Sequence, residues 1–199
     1  TGQQNWAKTL TVGGKSVDSP NGKIAGLVGF GAIGKEIAKR LDAIGLSVKY
    51  TKRNKLTKDE ESKLSFPVEF VAEFEELIKQ VDLLVLAVPH TPETIDLINK
   101  DTIKLVKPGI RIVNIGRGTA IDEDVLFEAL DNGTVNSVGL DVFQHEPLID
   151  KRYLNRADVT IIPHLGSFTL DTLQASALKV IENFRHVLIE GKEGVSRVN

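Results

Sequence analysis

Residues 23–53, KIAGLVGFGAIGKEIAKRLDAIGLSVKYTKR, contain a short apolar run, a glycine-spaced turn, an amphipathic helix and a second apolar run. Gly29, Gly31 and Gly34 have the GxGxxG spacing, which serves a tight turn, a close approach to a pyrophosphate and close helix packing. The turn opens onto a predicted helix beginning near Ala32, where unpaired N–H groups and the helix dipole can hold a diphosphate. This stretch therefore predicts a dinucleotide-binding βαβ unit.

The residues around the turn support this interpretation. Three glycines alone are weak evidence, and the alternative is a structural turn that binds no ligand. Apolar residues before the turn predict a buried strand, and those after it recur at helical spacing. They are Ile24, Leu27 and Val28, then Ile33, Ile37, Ala38, Leu41 and Ile44, with Gly45 where a C-terminal cap is expected.

The end of the second apolar run indicates which dinucleotide is bound. In NAD-binding units an acidic residue about twenty positions after the glycines binds the ribose hydroxyls. Here Thr51 occupies that place, followed by Lys52 and Arg53. Because no carboxylate would repel a 2′-phosphate and two cations could bind one, the sequence favours NADP(H) and leaves NAD(H) possible. The alternative is that these cations and Lys55 form only a solvated basic loop.

Composition bounds the possible functions. The chain has 199 residues, enough for one well-filled domain, and a formal charge of −2, so nothing suggests nucleic acid as a partner. No apolar run has the length needed to cross a bilayer. The absence of cysteine excludes disulfides and thiolate metal sites, and we predict no metal site. Thr1 and the absence of methionine indicate an excised or processed piece, which we expect to be cytoplasmic.

Strands and helices alternate along the rest of the chain, which predicts an α/β fold with a doubly wound parallel sheet of the Rossmann type. The predicted strands are 67–71, 82–88, 110–115, 135–141 and 158–162. The predicted helices are 73–80, 100–106, 122–132 and a long helix that Thr169 caps and that runs to about residue 190; residues 54–65 are predicted to form a charged loop. We expect three parts: a lead-in at 1–22 with a short helix near Trp6, a dinucleotide-binding domain at 23–190 and a tail at 191–199.

In such sheets, ligands bind beyond the carboxyl ends of the strands. The polar residues that follow predicted strands are Arg117, Asp141 with Glu146 a few residues on, and His164 with Ser167. A cation, carboxylates and an imidazole at one end of the sheet suit carbonyl reduction, in which the cation binds an oxo acid and the imidazole donates a proton. Taken singly, each residue could instead cap a turn, stabilise the fold or lie on the surface.

Four motifs in order resemble the signatures of the D-isomer-specific 2-hydroxyacid dehydrogenases. They are GFGAIG at 29–34, NIGRG at 114–118, GLDVFQHEP at 139–147 and PHLGS at 163–167. The resemblance covers nearly the whole chain. Within this family, YTKR at 50–53 is more similar to the NADP-using glyoxylate and hydroxypyruvate reductases than to the NAD-using members.

The resemblance implies roles for the matching residues. Arg117 would bind the substrate carboxylate and carbonyl, His164 would donate the proton, and Glu146 would hold the imidazole in its charged form. Further implied cofactor contacts are Ala32 and Ile33 at the pyrophosphate, Val88, Pro89, Thr94 and Ile115 at the ribose and nicotinamide, Asp141 at the carboxamide, and Gly116, Gly166 and Ser167 through their motifs. Gly116 departs from relatives that often carry Ala, Ser or Thr, and we expect it to loosen packing. His90, His145 and His186 match no catalytic position and are expected to be structural or solvent-facing.

The resemblance also implies a second, substrate-binding domain that is largely absent from this sequence. We therefore expect the tail at 191–199 to return toward that domain, and the chain to bind dinucleotide without turning over substrate alone. The implied whole is a homodimer that reduces a short 2-oxo acid, of the glyoxylate or hydroxypyruvate type, to a D-2-hydroxy acid. The alternative is a non-enzymatic NAD(P)H-sensing domain like the corepressors that share this fold. Thr51 in place of the acidic residue favours the reductase.

Overall fold

The computed structural model describes residues 11–12, 15–16 and 18–196, so the helix predicted near Trp6 lies outside the described residues. Two compact units are distinguished, Thr1–Pro163 and His164–Asn199, and each is described by itself. In the first unit, β1 (Thr11–Val12) and β2 (Lys15–Ser16) form an antiparallel pair.

The main sheet is parallel and has seven strands in the order β5-β4-β3-β6-β7-β8-β9. The strands are β3 (Ile24–Val28), β4 (Ser47–Thr51), β5 (Glu69–Phe70), β6 (Leu83–Leu86), β7 (Ile110–Asn114), β8 (Val135–Leu140) and β9 (Val159–Ile161). The order reverses between β3 and β6, which is the doubly wound arrangement and confirms the predicted fold class. The crevice at this reversal lies beyond the carboxyl ends of the strands, where the predicted site residues of the first unit lie.

The helices largely follow the predictions, with three differences. They are α1 (Ala32–Ala43), α2 (Lys58–Ser62), α3 (Phe74–Ile78), α4 (Glu123–Asp131) and α5 (Leu170–Phe184). The predicted loop at 54–65 contains α2, because Thr57 and Glu60 form a capping box that starts this short helix. The helix predicted at 100–106 is only a 3₁₀ turn at Thr102–Leu105. The long helix ends at Phe184 and continues as a π-helical turn, Arg185–Ile189.

Both faces of the sheet are buried, as parallel sheets require. Alternate residues of one strand enter different cores: Leu84 and Leu86 belong to a larger cluster, and Val85 belongs to a smaller one. The smaller cluster also contains Phe30 and Tyr50, next to the glycine turn. Among the described helices, none is long and apolar enough to cross a membrane.

In the second unit, the side chain of Thr169 accepts a hydrogen bond from the Thr172 N–H at 3.2 Å and caps α5, as predicted. No residue of α5 is buried within the described structure. Its large apolar side chains are therefore exposed, Leu170 by 86% and Ile181 by 63%.

Candidate functional site

Two glycines of the turn between β3 and α1 are required by the protein's own packing. Gly29 has φ of 91°, and a Cβ atom placed on it would lie 2.4 Å from the Ala87 carbonyl oxygen. A Cβ atom on Gly34 would lie 2.5 Å from the Gly29 carbonyl oxygen. The turn is therefore pressed against the end of β6 on one side and against α1 on the other.

Gly31 is different, because a Cβ atom placed on it would have no described atom of the chain within 4 Å. Gly31 is the N-cap of α1, where no side chain caps the helix and the first turn carries no acidic residue. The neighbouring Ile33 is 64% exposed although it is apolar. Open N–H groups, free space and an exposed apolar side chain together fit a dinucleotide whose diphosphate lies at the helix start.

The end of β4 carries the residues predicted to select the dinucleotide. Thr51 is only 7% exposed, and its hydroxyl donates to the Ala72 carbonyl at 3.1 Å. The hydroxyl proton of Thr51 is therefore already used inside the protein. We call residues 52–55 the basic loop; Lys52 is half-buried and Arg53 is exposed, and Lys55 pairs with Glu61 at 3.8 Å.

The loop after β6 approaches the basic loop and is held by its own hydroxyl groups. The Thr94 hydroxyl accepts from the Thr91 N–H at 2.9 Å and donates to the Pro89 carbonyl at 2.6 Å. Hydrogen bonds from Thr91 and from its own backbone hold the pKa of the Glu93 carboxyl below its usual value, and Arg53 adds an electrostatic contribution. The loop that is predicted to line the ribose and nicotinamide is thus held in place by hydrogen bonds of its own residues.

A buried asparagine shapes the turn after β7. Asn114 is 1% exposed; its side chain donates to the Arg117 carbonyl at 2.9 Å and accepts from the Gly116 N–H at 3.1 Å. Its own carbonyl accepts from the Asp141 N–H at 3.0 Å. Asn114 therefore joins the turn that carries Arg117 to the end of β8. Sequence reasoning missed this residue, although a polar side chain ending the apolar strand IRIVN was a usable signal.

Gly116 does not loosen packing, and that expectation was wrong. A Cβ atom on Gly116 would lie 2.6 Å from the Val88 carbonyl oxygen and 2.9 Å from the Val88 nitrogen. The missing side chain lets the turn after β7 contact the backbone after β6 directly. The preceding residue, Ile115, also binds the end of β6, because its N–H donates to the Leu86 carbonyl at 3.1 Å.

The segment after β8 packs against the same turn. Asp141 is 5% exposed, and an oxygen of Glu146 accepts from the Phe143 N–H at 2.9 Å. A Cβ atom on Gly118 would lie 1.9 Å from the Phe143 carbonyl carbon, so the two turns are in backbone contact. Arg117 is exposed between them, and one of its guanidinium nitrogens donates to the Gly116 carbonyl at 2.6 Å.

His164, Gly166 and Ser167 belong to the second unit. His164 is exposed and has φ of 53°, a left-handed conformation that is uncommon for residues other than glycine and that clusters at functional sites. The structure therefore brings together Arg117, Asp141 and Glu146 on the first unit. Their meeting with the imidazole of His164 stays a prediction.

Another histidine lies at the carboxyl end of the sheet. The Nδ1 atom of His90 is 2.7 Å from the hydroxyl oxygen of Thr119, two residues after Arg117, which links the loops after β6 and β7. His90 is exposed, in keeping with the prediction of a structural or solvent-facing residue. Among the described residues, no group of three or more His, Asp or Glu side chains is placed to hold a metal ion.

Comparison with known proteins supports the predicted fold. The family model described as "D-isomer specific 2-hydroxyacid dehydrogenase, NAD binding domain" matches residues 2–166. The chain is 38% identical to glyoxylate reductase 1 of Saccharomyces cerevisiae over 174 residues, which cover 87% of this chain and 48% of that protein. The chain thus spans about half the length of the curated relatives it matches.

Two solved structures show the same architecture. The holo form of D-mandelate dehydrogenase from Rhodotorula graminis has a TM-score of 0.89 and 31% identity, and the match covers 98% of this chain and 56% of that one. An NADPH-dependent glyoxylate/hydroxypyruvate reductase from Sinorhizobium meliloti, in complex with NADP and malonate, has a TM-score of 0.82 and 30% identity. That match covers 98% of this chain and 60% of the other.

Proposed function

Because the chain belongs to the D-isomer-specific 2-hydroxyacid dehydrogenases and carries their NAD-binding domain, we propose that it is the cofactor-binding half of an NADP(H)-dependent reductase. The whole protein would reduce a short 2-oxo acid, of the glyoxylate or hydroxypyruvate type, to a D-2-hydroxy acid. Relatives named for glyoxylate support this substrate class, as does the reductase from Sinorhizobium meliloti that is named as NADPH-dependent. A cytoplasmic homodimer is part of the proposal.

The end of β4 carries the cofactor proposal. An exposed Arg53 and a half-buried Lys52 follow a buried threonine where NAD-binding units place a carboxylate. A 2′-phosphate adds negative charge at the ribose, and a guanidinium can bind it through two parallel hydrogen bonds. The same position without a carboxylate offers no comparable partner to the 2′-hydroxyl of NAD(H). The charges at this strand end therefore favour NADP(H).

The chemistry at the other strand ends follows from the side chains. When bound, the nicotinamide would supply the hydride. Arg117 would hold the carboxylate of the oxo acid and polarise its carbonyl. An exposed guanidinium on a rigid turn loses little conformational entropy when it binds an anion. His164 would protonate the developing alkoxide, and Glu146 would stabilise the imidazolium. The Glu146 oxygen that accepts from Phe143 N–H fixes the direction of that carboxylate.

A paired titration of this chain with NADPH and NADH tests the cofactor proposal. We expect NADPH to bind at least tenfold more tightly, which corresponds to about 1.4 kcal/mol or more. In the double variant Lys52→Ala, Arg53→Ala the preference should disappear, because NADPH binding weakens and NADH binding does not. Lys55→Ala is the matched control, since Lys55 lies in the same loop but pairs with Glu61. Equal affinities in the unmodified chain would contradict the proposal.

The proposed reaction is tested in the whole protein that the proposal describes, with both the cofactor-binding half and the substrate-binding domain. With NADPH, we expect consumption of glyoxylate or hydroxypyruvate and formation of a D-2-hydroxy acid. The loss of NADPH absorbance measures the rate of this reaction. Dinucleotide binding without turnover of any 2-oxo acid tested would instead support the sensing domain.

A further inference from the structure

Tyr50 lies immediately before Thr51 and is completely buried. Its ring stacks on Phe30 of the glycine turn, with ring centres 4.2 Å apart and planes inclined by 25°. It also contacts the Phe70 ring, with centres 5.4 Å apart. These contacts require an aromatic ring at position 50, but a phenylalanine would satisfy all of them. The hydroxyl of Tyr50 therefore needs a separate explanation.

The hydroxyl oxygen of Tyr50 accepts a hydrogen bond from the Leu56 N–H at 3.2 Å, in the buried interior. Burial raises the pKa of Tyr50, more than the bond from Leu56 lowers it. The phenol therefore stays neutral at any ordinary pH. Its oxygen accepts the hydrogen bond from Leu56 throughout this range. Without it, the buried N–H of Leu56 would lose this partner, which is costly in an apolar core.

This bond closes the basic loop. At the start of the loop, the Thr51 carbonyl accepts from the Gly29 N–H at 3.0 Å and the Thr51 hydroxyl donates to the Ala72 carbonyl. At its end, Leu56 is 3% exposed and bound to Tyr50. The basic loop thus runs between two residues that are held in place, Thr51 and Leu56, and both are next to the glycine turn. A loop ordered before binding loses less conformational entropy when a ligand arrives.

We propose that Tyr50 is a positioning residue for cofactor selection: its hydroxyl fixes the basic loop so that Lys52 and Arg53 are held ready for the 2′-phosphate of NADP(H). This inference rests on the proposed NADP(H) preference. It goes beyond that proposal by assigning part of the preference to a buried hydroxyl that touches neither the cofactor nor the solvent.

Tyr50→Phe removes the hydroxyl and keeps the ring. Titration with both dinucleotides should show NADPH binding weakened by about threefold to tenfold, the range expected for one lost hydrogen bond. NADH binding should change by less than about twofold, because it does not use the basic loop. Tyr153→Phe is the matched control: Tyr153 is also buried, and its ring packs with Phe127 beyond the other half of the sheet. In Tyr153→Phe, the affinities for NADPH and for NADH should both stay unchanged.

A double-mutant cycle separates positioning from a general structural effect. In the Lys52→Ala, Arg53→Ala background, Tyr50→Phe should cause no further loss of NADPH affinity, because there are no cations left to position. An equal loss in both backgrounds, or equal losses for NADPH and NADH, would overturn the inference. An unmodified chain with no NADPH preference would overturn the proposed cofactor and this inference together. A preference that Tyr50→Phe leaves intact would overturn only the inference.

Hydrogen exchange provides a test in the unmodified chain, in case the variant folds poorly. The Leu56 amide should exchange slowly, as a buried bonded amide does, although the basic loop before it lies on the surface. In Tyr50→Phe, exchange at Leu56 should become faster while amides of β3 keep their protection. Fast exchange at Leu56 in the unmodified chain would contradict the role of the hydroxyl.

Discussion

Replacing Gly31 with alanine is expected to weaken dinucleotide binding while lowering the free energy of unfolding by no more than about 1 kcal/mol, since alanine is a poorer helix N-cap than glycine. A methyl group here meets no described atom of the protein within 4 Å, so the space it enters is open to a ligand. Overpacking typically costs about 1–3 kcal/mol, which corresponds to an affinity loss of about fivefold to 150-fold. Titration with NADPH and a urea unfolding curve measure the two quantities.

Gly34→Ala provides the comparison. Its methyl group would press on the Gly29 carbonyl oxygen at 2.5 Å, so this variant should lose stability as well as binding. Unchanged affinity in Gly31→Ala would show that the turn is merely structural. A loss of stability well above about 1 kcal/mol in Gly31→Ala would show that the packing of the chain itself, and not a ligand, requires the glycine.

Gly118→Ala is expected to destabilise the chain by about 3 kcal/mol or more, at the upper end of what overpacking costs. The added atom would overlap the Phe143 carbonyl carbon at 1.9 Å and the Gln144 nitrogen at 2.4 Å, and neither belongs to a side chain that could turn away. For a chain of this size, this loss lowers the melting temperature by about 6–12 °C. Calorimetry or a denaturant titration provides the measurement.

Gly139→Ala is the matched control for this substitution. Gly139 lies on β8, and its Cβ atom would meet only the Val113 side chain, at an ordinary 3.6 Å. The free energy of unfolding of this control should differ from that of the original chain by less than about 1 kcal/mol, because alanine fits a strand without strain. If Gly118→Ala is equally well tolerated, the two strand-end turns are not in the rigid contact that places Arg117 beside Asp141.

The fold was predictable because each element had a local signal. The glycine spacing fixed the turn before α1, apolar runs without polar alternation indicated buried parallel strands, and Thr169 and Asp122 lie at the caps of α5 and α4. The short helix α2 was missed because a charged segment with no apolar stripe looks like a loop, even though its capping box is local.

The side-chain contacts of the site were less predictable, because they depend on how separate strands and loops pack against each other. That Gly116 packs on Val88, or that Asn114 connects Arg117 to Asp141, depends on the register of neighbouring strands. A tyrosine in an apolar strand gave no hint that its hydroxyl would bind Leu56. Motifs thus predicted which residues lie at the strand ends, and only the folded chain showed what holds them.

The two outermost strands of the parallel sheet have a consequence for self-association. β5 contains two residues and β9 contains three, so each border exposes very few unpaired backbone groups. Strands of another chain add to long, flat edge strands, and short edge strands are a common protection against amyloid-like stacking. At the edges of this sheet, aggregation by backbone pairing is therefore disfavoured, and contacts between copies there would form through side chains.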